Sequence, residues 1–148
     1  MYFQEEIEFA EVMHRLESNY DWGKLQCDLI AAGVLLHKHD ILFQELIRFF
    51  ALKAMLKDLD GNSVIAPPLI DDLWCYLLQF PKDYLDMCRA ALSDTHYGYL
   101  TYPVFDRCNV DSYIRPLKIV ETLENYRLYF REHAPVDIWA YFGSSYID

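Results

Sequence analysis

Apolar residues recur at intervals of three and four along most of the chain, which is the period of an α-helix and not the alternation of a strand. The pattern predicts a first helix over residues 3–18. Its apolar stripe is expected to contain Phe3, Ile7, Ala10 and Met13. Because no repeat, low-complexity tract or linker interrupts the pattern, we predict one compact all-α domain, residues 1–148, of about six to seven helices.

Polar residues with capping chemistry mark the start of the next two helices. Asp21 is predicted to cap a second helix, since a short side-chain oxygen can accept a hydrogen bond from the free amides of a first turn. That helix is expected to end near His37 and His39. Its inward residues are expected to be Leu25, Leu29, Ala32 and Leu36. Asp40 is predicted to cap a third helix over about 41–57. The inward residues there are expected to be Leu42, Leu46, Phe49, Phe50 and Leu56.

Loops and prolines predict the remaining boundaries. Residues 58–63 are predicted to form a loop, and Pro68 and Pro81 suit the first turns of a fourth and a fifth helix. The fourth helix is expected to bury Ile70, Leu73, Trp74, Leu77 and Leu78. Residues 93–112 are predicted to be a tyrosine-rich loop, followed by a sixth helix over about 113–132. Its apolar pattern is expected to track around the helix through Leu117, Val120, Leu123 or Glu124, and Arg127 or Leu128. A last short helix, opened by Pro135, is expected to contain Ile138 and Trp139.

Charge and composition narrow the class of partner. The chain of 148 residues carries a formal net charge of −10 and no basic stripe, which disfavours binding to nucleic acid and to anionic membranes. No apolar run approaches the ~20 residues that span a bilayer. The first residues lack the basic start and apolar centre of a secretory signal. We therefore expect a cytoplasmic protein with free, buried cysteines, whose partner is another protein or a second copy of itself.

Two short segments are similar to metal-binding patterns but lack essential ligands. Residues 58–62 look like the start of a calcium loop, yet Ser63 and Leu69 occupy the positions that require Gly and Glu. His37 and His39 could offer two imidazoles, but residues two apart do not share a helix face and no third ligand is evident. Two cationic residues near a helix C-terminus are the alternative interpretation. We predict no metal and no cofactor, with these histidines as the weak candidates.

The tyrosine-rich loop contains the weak catalytic candidate His96. It could pair with Cys75, Cys88 or Cys108, although none of these cysteines has the local sequence of a known nucleophile. An ordinary hydrogen-bonded loop histidine is the alternative. G-x-S-x-G, P-loop and G-x-G-x-x-G motifs are absent. The same region supplies four tyrosines, which either fold over the core as a lid or form an exposed binding surface. They are Tyr97, Tyr99, Tyr102 and Tyr113.

A series of spacings over residues 46–142 resembles a known family. Its positions in register are Asp71, Trp74, Leu78, Tyr84, Cys88, Thr122, Leu123, Tyr126, Pro135 and Trp139. This series is similar to the helical domain of plant and fungal glycine-rich-domain proteins, and of related uncharacterised proteins that include some of large DNA viruses. Those domains carry S-P-x-x-D-x-x-W-H-x-H-x-L, then Tyr and Cys, an H-H loop, and Y-x-x-T-L-x-x-Y before P-x-x-x-W. The resemblance implies a structural framework of Asp71, Trp74, Tyr84, Cys88 and Trp139.

The chain departs from that family where the family has histidines. Cys75 and Leu77 stand in place of the W-H-x-H histidines, and His96-Tyr97 stands in place of the loop pair. Cys75 with His96 supplies only two ligands, which is too few for a structural zinc. The leading hypothesis is a non-catalytic protein-interaction module. The second is a degenerate or metal-dependent enzyme centred on Cys75, Cys88 and His96. The third is a small acidic inhibitor of a basic protein. The inhibitor requires a contiguous acidic patch. It would contain Glu5, Glu6, Glu11 and Glu17.

Overall fold

The computed structural model describes residues 3–56, 64–92 and 114–139, and these ranges are helical without a strand. Their helices are α1 Phe3–Asn19, α2 Trp22–Ala31, α3 Asp40–Met55, α4 Pro68–Leu78, α5 Pro81–Leu92, α6 Ile114–Phe130 and α7 Val136–Trp139. The predicted all-α class is confirmed. None of these helices combines the length and the apolar character needed to cross a membrane. The loops predicted over 58–63 and 93–112 lie outside the described residues.

The start of α2 agrees with the prediction and its end does not. Asp21 caps the helix, since its carboxylate accepts a hydrogen bond from the backbone N–H of Lys24 at 3.0 Å. The helix ends at Ala31, earlier than predicted, because Gly33 adopts a left-handed conformation with φ of 78° that terminates it. Leu36 therefore lies beyond the helix and is 94% exposed, so its predicted inward position was wrong.

α3 is capped by His39 and not by Asp40. The Nδ1 atom of His39 accepts a hydrogen bond from the backbone N–H of Leu42 at 3.2 Å. Asp40 is the first residue of the helix, where its negative charge suits the helix dipole. The buried side chain of Gln26 in α2 accepts a hydrogen bond from the backbone N–H of His39 at 3.3 Å. The imidazole is thus part of the connection between α2 and α3.

Prolines begin α4 at Pro68 and α5 at Pro81, as predicted. Each proline fills a first-turn position whose N–H would have no partner within the helix. The two helices are joined by a hydrogen bond from the Nε1 of Trp74 to the hydroxyl of Tyr84, 3.1 Å long and buried. The indole and phenol polar atoms are therefore paired inside an otherwise apolar region.

α3 is the central helix and packs against α1, α4, α5 and α6. Its Phe49 and Phe50 meet Trp74 edge-on, with ring centroids 5.3 and 5.6 Å apart. Phe50 also stacks against Trp22 of α2 at 6.3 Å. Because aromatic pairs in these geometries contribute about 0.5–1.5 kcal/mol beyond the area they bury, this cluster is a main source of cohesion in the core.

Two sets of hydrogen bonds connect segments that are distant in sequence. Arg15 of α1 donates from Nε and Nη2 to the carbonyl oxygens of Ala90 and Ala91, each at 3.1 Å. These carbonyls lie in the last turn of α5, where the helix leaves such groups without an N–H partner. The backbone N–H of Ile65 donates to the Oγ1 of Thr122 at 3.1 Å. This bond joins the segment before α4 to α6.

Candidate functional site

α6 has two apolar faces, and the structure buries one and exposes the other. The inner face consists of Ile119, Thr122 and Tyr126, all buried. The outer face consists of Leu117, Val120, Glu124, Arg127 and Leu128. Its apolar members are 64, 52 and 48% exposed in chain order. Most of the positions predicted to track around α6 therefore lie on its exposed face, while Leu123 is half-buried, and the hydrogen bonding of the inner face explains which face is buried.

That hydrogen bonding centres on Glu45 of α3, whose side chain is only 1% exposed. Its Oε1 accepts hydrogen bonds from the hydroxyl of Tyr126 at 2.6 Å and from the indole N–H of Trp139 at 3.0 Å. A buried carboxylate without donors would be strongly unfavourable. Glu45 therefore requires Tyr126 of α6 and Trp139 of α7 to face inward, which fixes the rotation of α6.

Arg48 and Glu132 complete this polar cluster, which consists of Glu45, Arg48, Tyr126, Glu132 and Trp139. Arg48 donates from Nη1 to the hydroxyl of Tyr126 at 2.6 Å and lies 3.5 Å from Oε2 of Glu45. It also forms an ion pair with the more exposed Glu132. Its guanidinium carbon is 4.8 Å from the ring centroid of Phe130, within the range of a cation–π interaction. The buried negative charge is thus compensated on its solvent side.

The protonation of the polar cluster is suited to a structural role. Burial raises the pKa of Tyr126 well above that of an ordinary phenol, and the hydrogen bond to Glu45 raises it further. Burial lowers the pKa of Arg48, but hydrogen bonds to Glu132 and Tyr126 outweigh that effect and the net shift is upward. At neutral pH the phenol is a neutral donor and the guanidinium is a cation. Neither group exchanges a proton near pH 7, as an acid–base catalyst would.

On the other side of α6, an open groove of about 1120 Å³ runs beside α7. Trp139 belongs to both regions, because it lines the groove while its indole N–H is bound to Glu45. The apolar lining of the groove also includes Val120, Leu123, Leu128, Ala134 and Val136. Exposed apolar side chains that gather in a groove beside charged ones make this groove the candidate binding site.

The charged residues of the groove are separated by sign along α6. Glu121 and Glu124 come first along the chain, and Arg127, Arg131 and His133 follow in the last turn of α6 or just beyond it. Arg131 forms an ion pair with Glu6 of α1. Within the described ranges, the side chains of Glu124 and Arg127 form no ion pair or hydrogen bond, so both are available to a partner.

The residues predicted as framework lie in the interior. Trp74 and Cys88 are fully buried, and Asp71, Tyr84 and Trp139 are nearly so. Sequence reasoning did not single out Lys53, which is also fully buried and whose Nζ is 4.9 Å from the ring centroid of Trp74. Lysine is almost never this deeply buried unless it is paired, and Lys53 does take part in interactions in the structure.

The predicted catalytic residues are only partly within the described ranges. Cys75 is half-buried on α4, next to Trp74, while His96 and Cys108 lie outside the described residues, as do the four tyrosines of the predicted binding surface. Those tyrosines are Tyr97, Tyr99, Tyr102 and Tyr113. The convergence of Cys75, Cys88 and His96 therefore stays a prediction. Cys27 is exposed, so its predicted burial was wrong. It lies on α2 between Leu25 and Leu29 in sequence, on a different side of the helix from these two buried residues.

The two histidines considered as metal ligands are both exposed. His39 uses its Nδ1 as the cap of α3, and the Nδ1 of His37 lies 3.0 Å from the carbonyl oxygen of Lys38. In the part of the chain that the structure describes, no group of three or more His, Cys, Asp or Glu residues is placed to hold a metal ion. The role visible for His39 is structural.

The structure groups carboxylates at a place other than the patch considered on α1. A cleft of about 390 Å³ between α2 and α5 is lined by Asp21, Asp28, Asp83 and Asp86. It also contains two cations, one of which, Arg89, lies 3.8 Å from Asp86. Burial raises the pKa of Tyr20 in this cleft, and the aspartates raise it further. On α1 itself, Glu6 is engaged by Arg131, and Glu11 and Glu17 are separated by about 1.7 turns, so they point in different directions.

The polar cluster has a weak signature in the sequence that the initial interpretation missed. Glu45 lies three residues after Leu42 and four before Phe49, both of which are buried on the same side of α3. Lys53 likewise follows Phe49 by four residues and Phe50 by three. A charged residue flanked by apolar residues at these spacings is placed by the helical period on the buried face.

No protein-family model, curated protein or solved structure matches the chain. The resemblance to the helical domain of glycine-rich-domain proteins therefore stays a prediction. The structure does give a physical role to several of the positions that carry it. Trp74 is hydrogen-bonded to Tyr84, and Tyr126 and Trp139 share the carboxylate of Glu45.

Proposed function

We propose that this protein is a non-catalytic helical module that binds another protein through the groove between α6 and α7. The observation that carries the proposal is the outer face of α6, where Leu117, Val120 and Leu128 are exposed although the opposite face of the same helix is already packed. Exposing these side chains has no benefit for the stability of the isolated chain. It is favourable for a surface that becomes buried on association.

The chemistry of the groove favours an amphipathic helix as its ligand. Its lining contains apolar as well as charged residues, and the apolar Val120 and Leu128 lie eight residues apart, about two helical turns along α6. A helix laid in such a groove would place apolar side chains at similar intervals against it. Both signs of charge flank the apolar strip, so the preferred helix is one with basic and acidic residues at opposite ends of its apolar stripe.

The polar cluster supports this function by making the groove rigid before binding. Trp139 is held by Glu45, so the groove residue on α7 does not have to be ordered when a partner arrives. A preorganised site loses less conformational entropy on binding than a mobile one. The cluster therefore belongs to the proposed site although it makes no contact with the ligand.

The proposal can be tested by selecting ligands from a displayed library of random helical peptides. We expect the wild-type protein to enrich amphipathic sequences, and Leu128→Glu to lose that enrichment because it places a charge in the apolar strip. Leu85→Glu on α5 is the matched control, since Leu85 is 41% exposed and Leu128 is 48% exposed. Equal enrichment by all three proteins, or none by the wild type, would contradict the proposal.

A further inference from the structure

We infer that the helix received by the groove is α6 of a second copy of this chain, so that the protein forms a two-fold symmetric dimer in which the two α6 helices run antiparallel. This inference rests on the proposed function and names its partner. It is carried by the outer face of α6, which is complementary to itself in both apolar character and charge.

The order of charges along α6 is the first argument. A two-fold axis perpendicular to a helix places the first half of one copy against the second half of the other. Among the groove residues this brings Glu124 of one copy next to Arg127 of the other, whereas Glu121 is already paired with Lys118 of its own chain at 3.5 Å. A parallel arrangement would instead place like charges together, which is unfavourable.

Two charged side chains of α6 that have no partner among the described residues suggest how the two α6 helices are aligned. Glu124 and Arg127 form no side-chain ion pair or hydrogen bond among the described residues. In the antiparallel register centred between residues 125 and 126, Glu124 of each copy faces Arg127 of the other. Each favourable contact occurs twice, as symmetry requires.

The size of the surface sets the expected strength. α6 has 17 residues and is therefore about 25 Å long, and only one of its faces and the adjoining α7 segment would be buried. Interfaces of this extent lie at the small end of those found in stable complexes. The formal net charge of −10 on each copy adds a long-range repulsion, which salt at about 0.15 M screens beyond about 8 Å. We expect a dissociation constant in the micromolar range.

The first experiment measures the mass of the protein by sedimentation equilibrium from about 1 µM to about 1 mM, a range that brackets the expected affinity. Wild type and Leu85→Glu are expected to dimerise, and Leu128→Glu is expected to stay a monomer. Circular dichroism checks that each variant is folded. A monomeric wild type across this range would overturn the inference, as would dimerisation of Leu128→Glu with wild-type affinity.

A charge exchange tests the register itself. Glu124→Arg and Arg127→Glu should each weaken self-association about tenfold or more, because each places two pairs of like charges in the interface. An equimolar mixture of the two variants should form a heterodimer with affinity restored, since both opposite-charge pairs are regained between unlike chains. Native mass spectrometry distinguishes the species. A mixture that associates no better than either variant alone would overturn the antiparallel arrangement.

Failure of this inference is separable from failure of the proposed function. If the protein is a monomer but the library still yields peptides that depend on Leu128, the groove binds a partner helix and only its identity as a second copy is wrong. If neither self-association nor peptide enrichment depends on Leu128, the groove is not a binding site and both proposals fail.

Discussion

The inner and outer faces of α6 differ less in hydrophobicity than in what their polar atoms can do. The inner face contains Thr122 and Tyr126, whose hydroxyl groups reach a backbone N–H and a carboxylate on other segments. The outer face contains Leu117, Val120 and Leu128, and nothing in their side chains specifies a partner within the chain. Both faces follow the helical period, so apolar content alone does not determine which one is buried.

The difference teaches how a single helix can serve stability and binding at the same time. Directional hydrogen bonds select one orientation of α6, because rotating the helix would leave Glu45 buried without its donors. The remaining apolar face is then free to be exposed. The two faces predict opposite responses to substitution: changes on the inner side should alter the free energy of unfolding, and changes on the outer side should alter association.

The largest effect is expected from Glu45→Ala, which removes the common acceptor of Tyr126 and Trp139 and the buried partner of Arg48. Removing one member of a buried charge pair costs about 3–5 kcal/mol, because the groups left behind stay desolvated. Urea unfolding should show this loss. Glu124→Ala on the outer face is the control, with a change below about 0.5 kcal/mol. A loss for Glu45→Ala as small as that of the control would mean that the polar cluster does not fix α6.

A second test compares two adjacent residues on opposite faces. Ile119→Ala should lower the free energy of unfolding by about 2–4 kcal/mol, since Ile119 is 7% exposed and its removal leaves a cavity. Val120→Ala should change it by less than about 0.5 kcal/mol, since Val120 is 52% exposed. Chemical denaturation of the two variants measures both values. The reverse order would show that Val120, and not Ile119, packs against the core.

The parts of the fold that the sequence predicted are those set by local chemistry. Asp21, Pro68 and Pro81 each begin a helix at the predicted place, because a cap or a proline acts within one turn of its own position. The early end of α2 was missed although its signal, Gly33, is also local. Asp40 was predicted to cap α3, but His39 caps it. Local signals of this kind do not decide between two adjacent residues that both have capping chemistry.

The candidate site could not be predicted in the same way because its contacts are distant in sequence. Tyr126 and Glu45 are 81 residues apart, and Trp139 and Glu45 are 94 apart. The helical period gives each helix one or more apolar stripes, but which stripe is buried depends on partners on other helices. The groove follows from that choice. The sequence marks its α6 residues only as positions that track around the helix, and the exposed binding surface was expected elsewhere, among tyrosines that lie outside the described residues.

A smaller effect is expected from Tyr126→Phe, which removes one donor to Glu45 and keeps the ring. At neutral pH the loss should be about 1–3 kcal/mol, the cost of leaving a buried polar group with fewer partners. The raised pKa of Tyr126 in the folded state has a further consequence. The contribution of the Tyr126 phenol to the free energy of unfolding is complete below about pH 10, the ordinary pKa of a phenol. It is lost as the pH rises through the higher pKa that Tyr126 has in the folded state.

The pH dependence of urea unfolding above about pH 10 therefore distinguishes Tyr126 from Tyr20, whose pKa burial also raises. Each Tyr→Phe substitution should make the alkaline fall in stability shallower than in the wild type. Only Tyr126→Phe should also reduce stability at neutral pH, because the described interactions of Tyr126 include the hydrogen bond to Glu45. An unchanged alkaline slope in Tyr126→Phe would contradict the role assigned to its phenol.

The smallest and most local effect is expected from Thr122→Val on the inner face. Valine has the same shape as threonine but cannot accept the hydrogen bond from the backbone N–H of Ile65, so the loss should be about 0.5–1.5 kcal/mol. Amide hydrogen exchange should become faster at Ile65 and stay protected in Thr122→Ser, which keeps the hydroxyl. If exchange at Ile65 were equally slow in Thr122→Val and Thr122→Ser, the hydrogen bond of Thr122 would not help to orient α6. The orientation of α6 would then depend on the polar cluster alone.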